Sequence, residues 1–461
     1  MTKRTIIHGG ILGTEDGAYQ ADLVIDGERI SAIMLDSSDI AADERIDAAG
    51  RFVLPGAIDM HTHFKEPSVP LDEGFYNGSL GAIAGGITSI VEMPQASPTS
   101  SEGAHIRAKR EIGETQSIVD FALWGAAINQ DLSRIQEMIG EGVVGIKSFM
   151  AGSSSFFPKA TDATLLDVFQ LLAGTSIPYG LHAENDDLLQ AGLNRLQQAG
   201  RRDPLAHAES RPAAVEVEAI NRALYFAERT GSRVHICHCS TADGLRLIAQ
   251  ARARGVQATV ETCPQYLALD EDDLVRLGPF GRCAPAIRSR AEVERLWDGL
   301  EAGLIDVLAS DHCGLSVESK ETGLDDIWQA PNGLVGVQTM CPVIFDEMIN
   351  KRGLDVSMFV KLTAANPARI ASLYPRKGVL RVGADADIAI YDPHRSWIAR
   401  GSDMLHQNKW TPFEGREVNA SVVATIRRGQ VVYRNEGNVV VSAEAGSGRF
   451  LPRGYGQSGK V

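Results

Sequence analysis

His61 and His63 close the apolar run Val53-Leu-Pro-Gly-Ala-Ile-Asp-Met-His-Thr-His-Phe64. A spacing of two puts both imidazoles on one face of an extended strand, where they can chelate a single cation. Alone, such a pair is more often two ordinary hydrogen-bonded histidines than a metal site. Further candidates raise its standing: Lys147 in Val-Gly-Ile-Lys-Ser-Phe-Met, His182 in Gly-Leu-His-Ala-Glu-Asn, His238 in His-Ile-Cys-His-Cys, and Asp311 in Leu-Ala-Ser-Asp-His-Cys. Four imidazoles and a carboxylate suit Zn2+, with Mn2+ and Co2+ as alternatives, and are too many for one four-coordinate site. Two metals need a bridge. A neutral lysine that has captured CO2 becomes an anionic carbamate with two oxygens to share, and an apolar strand favours the uncharged amine this requires. Such a centre would supply a hydroxide nucleophile and polarise a carbonyl, while Asp311 would take the proton and pass it to a leaving nitrogen.

These residues need elements that bring them to one place. Eight apolar strand candidates alternate with helical stretches: 52–60, 87–93, 118–126, 143–150, 177–183, 233–239, 256–262 and 305–310. Helices are expected over 132–140, 165–172, 213–229, 244–254, 291–301, 335–350 and 356–374. Eight β-α repeats predict an α/β fold, a closed (β/α)8 TIM-type barrel whose active site lies at the C-terminal strand ends; a doubly wound open sheet is the alternative. In the barrel, five of the eight strands deliver a metal-compatible side chain to the same rim. His235 and His238 differ by three positions, so an ideal strand separates them; His238, nearer the strand end, is the expected ligand and His235 a supporting residue. Cys237 and Cys239 read as packing residues, and His8, His105, His207, His394 and His406 as ordinary histidines in polar or loop contexts.

Short strands between glycines open the chain, at 5–7, 21–25, 29–33 and 44–46, and others follow residue 375, at 378–380, 386–391, 421–426 and 430–433. Each end is too small to bury a core alone, so residues 1–51 and 376–461 are expected to pair into one discontinuous β-sandwich around a barrel of 52–375. The Gly- and Ser-rich stretch 446–461 reads as a mobile or docking tail.

Composition narrows the function. A formal net charge of -14 argues against nucleic acid and anionic membrane surfaces as partners. With 44% hydrophobic residues, no signal-length apolar start and no apolar run of spanning length, a soluble cytoplasmic protein is expected. Six cysteines without a C-x-x-C pair read as reduced thiols.

As a set, Asp59-Met-His61-Thr-His63, Gly145-Ile-Lys147-Ser-Phe-Met, His182-Ala-Glu-Asn, His238-Cys-Ser and Ser310-Asp311-His-Cys resemble the cyclic amidohydrolases: hydantoinases, allantoinases, dihydropyrimidinases and dihydroorotases. The likeness spans nearly the whole chain, from Ala21-Asp-Leu-Val-Ile-Asp-Gly to Gly383-Ala-Asp-Ala-Asp-Ile-Ala-Ile-Tyr-Asp. It implies that His61 and His63 hold one divalent metal and His182 and His238 the second. N6-carboxylated Lys147 bridges them, and Asp311 ligates the first while acting as base and acid. It also implies a homodimer or homotetramer, and places Asn332 and the backbone near Ala284 at the amide edge of the substrate ring.

Lys65 and Gln95 stand where dihydroorotases carry an arginine and an asparagine that grip a carboxylate, which points to uncharged rings. Phe64-Lys-Glu-Pro and Met93-Pro-Gln-Ala-Ser-Pro are similar to allantoinases, and Asp326-Ile-Trp-Gln-Ala-Pro-Asn-Gly to L-selective hydantoinases. The expected substrate is therefore a small five-membered cyclic ureide, opened to an N-carbamoyl acid. Six-membered rings are the alternative, as is a noncatalytic dihydropyrimidinase-like structural protein; a single-metal deaminase lacks the bridging lysine. Gly152 stands where dihydropyrimidinase-type enzymes place a tyrosine, leaving Ser153 to Ser155 as candidate oxyanion donors.

Overall fold

The computed structural model describes residues 3–68, 73–129, 131–154 and 156–457. Strands Ala57–His63, Ile87–Glu92, Asp120–Ala126, Gly145–Phe149, Tyr179–His182, Val234–Ile236, Ala258–Thr262 and Val307–Leu308 pair in chain order, every pairing parallel. Helices cover them outside, so nearly every strand residue is buried, which is why the strands read as unbroken apolar runs. The eighth strand is expected as one piece over 305–310 but comes as two. Val307–Leu308 pairs with Glu261 and Thr262, and His312–Cys313 pairs with Thr62 and His63. Between the halves Asp311 takes a left-handed backbone (φ 49°), and this jog closes the ring.

The run expected as one strand over 52–60 is also two. Phe52–Pro55 pairs antiparallel with Ile388–Asp392 and parallel with Ile11–Thr14, so it belongs to a seven-stranded sheet built from both chain ends. The chain leaves that sheet at Gly56 and enters the barrel at Ala57, five residues beyond the expected start of the barrel at 52. A four-stranded sheet of Arg4–His8, Asp22–Asp26, Arg29–Met34 and Glu44–Asp47 completes the sandwich. Its core mixes the termini, with Ile7, Leu23 and Ile25 against Ile388, Ile390 and Ile426. Residues 378–380, expected as a strand, form a turn opened by Gly378 in the left-handed region (φ 77°).

Helix Leu132–Gly140 matches its expected span. The helix expected over 335–350 begins only at Met340, because the N–H groups of Gly336 and Val337 donate to His312 Nδ1 (3.0 and 3.2 Å) instead of winding into a helix. Residues 356–370 run as Val356–Val360, a wider π-type turn Lys361–Ala365, and Asn366–Ile370.

At the bottom of the barrel, Lys377 is buried with its Nζ 2.5 Å from both Asp120 and Asp387 and 3.3 Å from Asp385. Arg428 bonds the same Asp120 and joins barrel to sandwich. The tail docks: Phe121 N–H donates to Arg449, Leu451 N–H donates back to Phe121, and the Leu451 side chain is fully buried. No helix among the described residues is long and apolar enough to cross a membrane.

Candidate active site

Strand Ala57–His63 alternates as its sequence demands, and Asp59, His61 and His63 share its inner face. His61 Nε2 and His63 Nε2 stand 3.2 and 3.3 Å from Asp311 Oδ1, so three ligand atoms from the first and eighth strands converge. Across the barrel mouth, His182 Nδ1 lies 3.0 Å from His238 Nε2. His238 gets there by leaving strand geometry. The sixth strand ends at Ile236, and the left-handed backbone of His238 (φ 37°) turns its ring to the rim, while His235 stays below.

Lys147 is fully buried on the fourth strand, and its Nζ makes no hydrogen bond among the described residues. It approaches neither Glu184 nor Asp311 as an ion pair. A charge on it would act on His61, His182 and His238, so it lies near rings of both histidine pairs.

The electrostatics suit a cation. Burial pulls His63 down to about 4 and holds His182 and His238 below their ordinary value, so these rings are neutral with lone pairs to offer. Burial acts on His61 as well, but the carboxylates of Glu261 and Asp311 outweigh it and push His61 up to about 10. The negative charge that favours a proton on this ring would equally favour a metal ion beside it.

Several residues that sequence reading passes over hold this set in place. Glu261, on the seventh strand, accepts from His61 Nδ1, from His235 Nε2 at 3.1 Å and from the His238 backbone N–H at 3.0 Å. Burial works against its charge, but His61 leads the groups that keep its carboxyl well below the usual range. Cys237, expected only to pack, lies with His61 and Glu261, one ligand atom of each within 4.8 Å of the others. Asp59 accepts from the backbone N–H groups of His61 (3.2 Å) and Ser310 (3.0 Å), tying the first strand to the eighth. Glu92 accepts from Thr62 Oγ1 and the N–H groups of Phe64 and Lys65, fixing the segment that leaves His63. Glu184 joins His182 Nε2 (2.8 Å) to Arg211. Buried carboxylates at the ends of apolar strands are the signal that could have found Glu92 and Glu261.

The histidines open into a pocket of about 320 Å³ that also touches Lys65, Phe149, Ser153, Arg211, Arg282, Ala284 and Asn332. Ser153 Oγ accepts from Gln95 Nε2 (2.7 Å); Ser155 lies outside the described residues. Around Ala284, the carbonyls of Arg282, Cys283 and Pro285 all accept hydrogen bonds, from Lys320, His207 and Tyr266 respectively. His207, expected to be an ordinary histidine, thus holds the segment next to Ala284. Ala284 itself, and every polar atom of Asn332, makes no hydrogen bond among the described residues and so can serve a ligand.

Comparison with known proteins places this geometry. The profile described as the Amidohydrolase family matches residues 52–432. The chain is 38% identical over 445 residues to an L-hydantoinase of Paenarthrobacter aurescens (96% of each chain) and 39% identical over 448 residues to an allantoinase of Rubrobacter xylanophilus (97% of each). The solved L-hydantoinase (dihydropyrimidinase) from Arthrobacter aurescens superimposes with a TM-score of 0.94 at 37% identity, covering 98% of this chain and 100% of that one.

Proposed function

Because the chain belongs to the amidohydrolase family, we propose that it opens the ring of a five-membered cyclic ureide, of hydantoin or allantoin type, to an N-carbamoyl acid. It is a hydrolase of cyclic amide C–N bonds, and its family is generally binuclear and metal-dependent. Relatives named for hydantoin and for allantoin stand at nearly equal identity, and both names point to a five-membered ureide.

The observation that carries the reading is Lys147, a buried amine with no hydrogen bond, near enough to His61, His182 and His238 to bear on the charge of each ring. A buried polar group left this way is costly, and carboxylation of the amine would give it a charge and two oxygens that the imidazole side can use through metal ions. In this reading His61, His63 and Asp311 would hold one ion and His182 and His238 the other, with Lys147, once carboxylated, helping to hold both; Zn2+ suits the donors, with Mn2+ or Co2+ able to replace it. The bound pair would supply an activated water and a Lewis acid for the scissile carbonyl.

The protein's own groups do the rest. Asp311 takes the proton of the attacking water and delivers it to the departing ring nitrogen, a role suited to a carboxylate facing the pocket between two imidazoles. Asn332 and the unsatisfied peptide groups of Ala284 hold the amide edge of the ring. Ser153, steadied by Gln95, is the candidate donor to the developing oxyanion, because Gly152 offers no side chain.

The sandwich of residues 1–51 and 376–461, joined by strand Phe52–Pro55, serves as a scaffold to the catalytic barrel that follows it. The same reading includes a homodimer or homotetramer, to be checked by light scattering. It also includes a cytoplasmic location, for which six buried cysteines, none in a disulfide, speak.

Ring opening of allantoin, of 5-substituted hydantoins of both hands, of dihydrouracil and of dihydroorotate, each with Zn2+, Mn2+ or Co2+, tests the proposal. Turnover of the five-membered rings is expected to dominate, and no ring opening with any metal would refute it. Lys147→Ala is expected to lose metal and activity together, with partial recovery in short carboxylic acids; unchanged activity would rule out the bridge.

A further inference from the structure

Lys320, on the short helix Val317–Glu321 outside the metal centre, is fully buried, yet its hydrogen-bond partners include no carboxylate. Its Nζ donates to three backbone carbonyls, Arg282, Pro331 and Gly333, each at 3.0 Å. An ammonium has three N–H donors, so the group is fully used, and a neutral amine could not serve all three. A buried cation is expensive, and here it is offset by carbonyl dipoles and by the Trp410 ring, 5.8 Å away. Burial nevertheless pulls the lysine down to about 7.

The choice of carbonyls is informative. Pro331 and Gly333 flank Asn332, so both neighbouring carbonyls are turned onto one point inside the wall. Arg282 lies two residues before Ala284, and its carbonyl also accepts from the Gly333 N–H at 3.0 Å, which cross-links the two segments. With its neighbours turned inward, Asn332 bulges toward the pocket and is exposed there.

We propose that Lys320 is a positioning residue for the substrate: its ammonium clamps the 282–285 and 331–333 segments together and so presents Ala284 and Asn332, as one rigid edge, to the amide edge of the ring. This deepens the ring-opening reading and rests on it for the identity of the ligand. Catalytic power stays with the metal centre, so losing the clamp costs binding more than chemistry.

The experiment compares metal-loaded wild type with Lys320→Met, which keeps the length and removes the donors, and with Lys320→Gln in case the first does not fold. KM for the preferred hydantoin or allantoin is expected to rise about tenfold or more, with kcat and metal content within about threefold of wild type. Amide hydrogen exchange at Gly333, which shares the Arg282 carbonyl, is expected to quicken about tenfold or more. Unchanged KM and unchanged exchange at Gly333 would overturn the proposal. So would a joint fall of kcat, metal content and melting temperature, which marks a residue that only maintains the fold. Failure of both variants to fold would likewise assign the lysine to the fold and not to the substrate. If the wild type opens no ring, the functional reading fails, while the exchange comparison still decides whether the clamp exists.

Discussion

Glu261 carries more of the site than its place one strand away suggests. One carboxylate holds His61 through its ring and His238 through its backbone, so it fixes one proposed ligand from each metal position. Partners of this kind typically contribute 10- to 100-fold to metal affinity. Glu261→Gln, which keeps the shape but removes the charge, is expected to weaken metal binding by about that factor in chelator competition, with catalysis recovering at high metal concentration. His406, one of several histidines that burial holds below their ordinary value, is expected to contribute to an acid limit on the fold. Burial pulls its imidazole down to about 4 from an ordinary value near 6.5. As pH falls from 6.5 to 4, the unfolded chain takes up a proton that the folded chain refuses, so stability is full above that window and lost within it. The loss amounts to about 3 kcal/mol at roughly 1.4 kcal/mol per pH unit. His406→Gln should flatten the acid limb of melting temperature against pH; parallel limbs would show that this residue does not contribute to it.

Among the elements, the turn at Asn332 is the most exacting. Gly333 has φ 135°, and a Cβ there would come 2.8 Å from Cys313 Cβ and 2.9 Å from its Sγ. Cys313 lies two residues past Asp311 on the closing half-strand, so the proposed substrate edge and the proposed catalytic corner are pressed together. Gly333→Ala must shift one of them, and a strain of about 1–3 kcal/mol is expected. The measurable result is a lowered melting temperature with a raised KM, and an unchanged KM would mean that the turn yields without moving Asn332. These elements also mark how far the sequence could be read. His61 and His63 were legible because strand alternation is a local rule, and Leu132–Gly140 because one apolar stripe defines it. The second half of the eighth strand was not, since Asp311 breaks the rule with a left-handed backbone that no residue pattern announces. His238 does the same, and its expected position followed from nearness to a strand end and not from parity. Glu261 meets His61 from 200 residues away, and Lys320 meets three carbonyls whose direction is set only by the folded loops.

At the scale of the whole molecule, Lys377 is where barrel and sandwich meet. It answers Asp120 from the barrel and Asp385 and Asp387 from the sandwich side, with Arg428 on the same Asp120. Removing one member of a buried ion cluster strands the others, at about 3–5 kcal/mol. Lys377→Met is accordingly expected to lower the melting temperature markedly while a folded fraction keeps its kcat, and a loss below about 1 kcal/mol would show that the apolar interface alone suffices. The architecture was visible in outline, as alternating strands and helices between two β-rich ends. The exact crossing at Gly56 was hidden because Phe52–Pro55 and Ala57–His63 are equally apolar. The two-piece eighth strand has a consequence in time. Ser310 and Asp59, which share the seam, are 251 residues apart, and the ring cannot be completed until His312 and Cys313 are available to pair with Thr62 and His63. A chain emerging from the ribosome therefore carries His61 and His63 on an open sheet edge for most of its synthesis. The proposed metal centre is among the last features of the barrel to be completed, and a nascent chain stalled before residue 311 has strands but not the full set of proposed ligands.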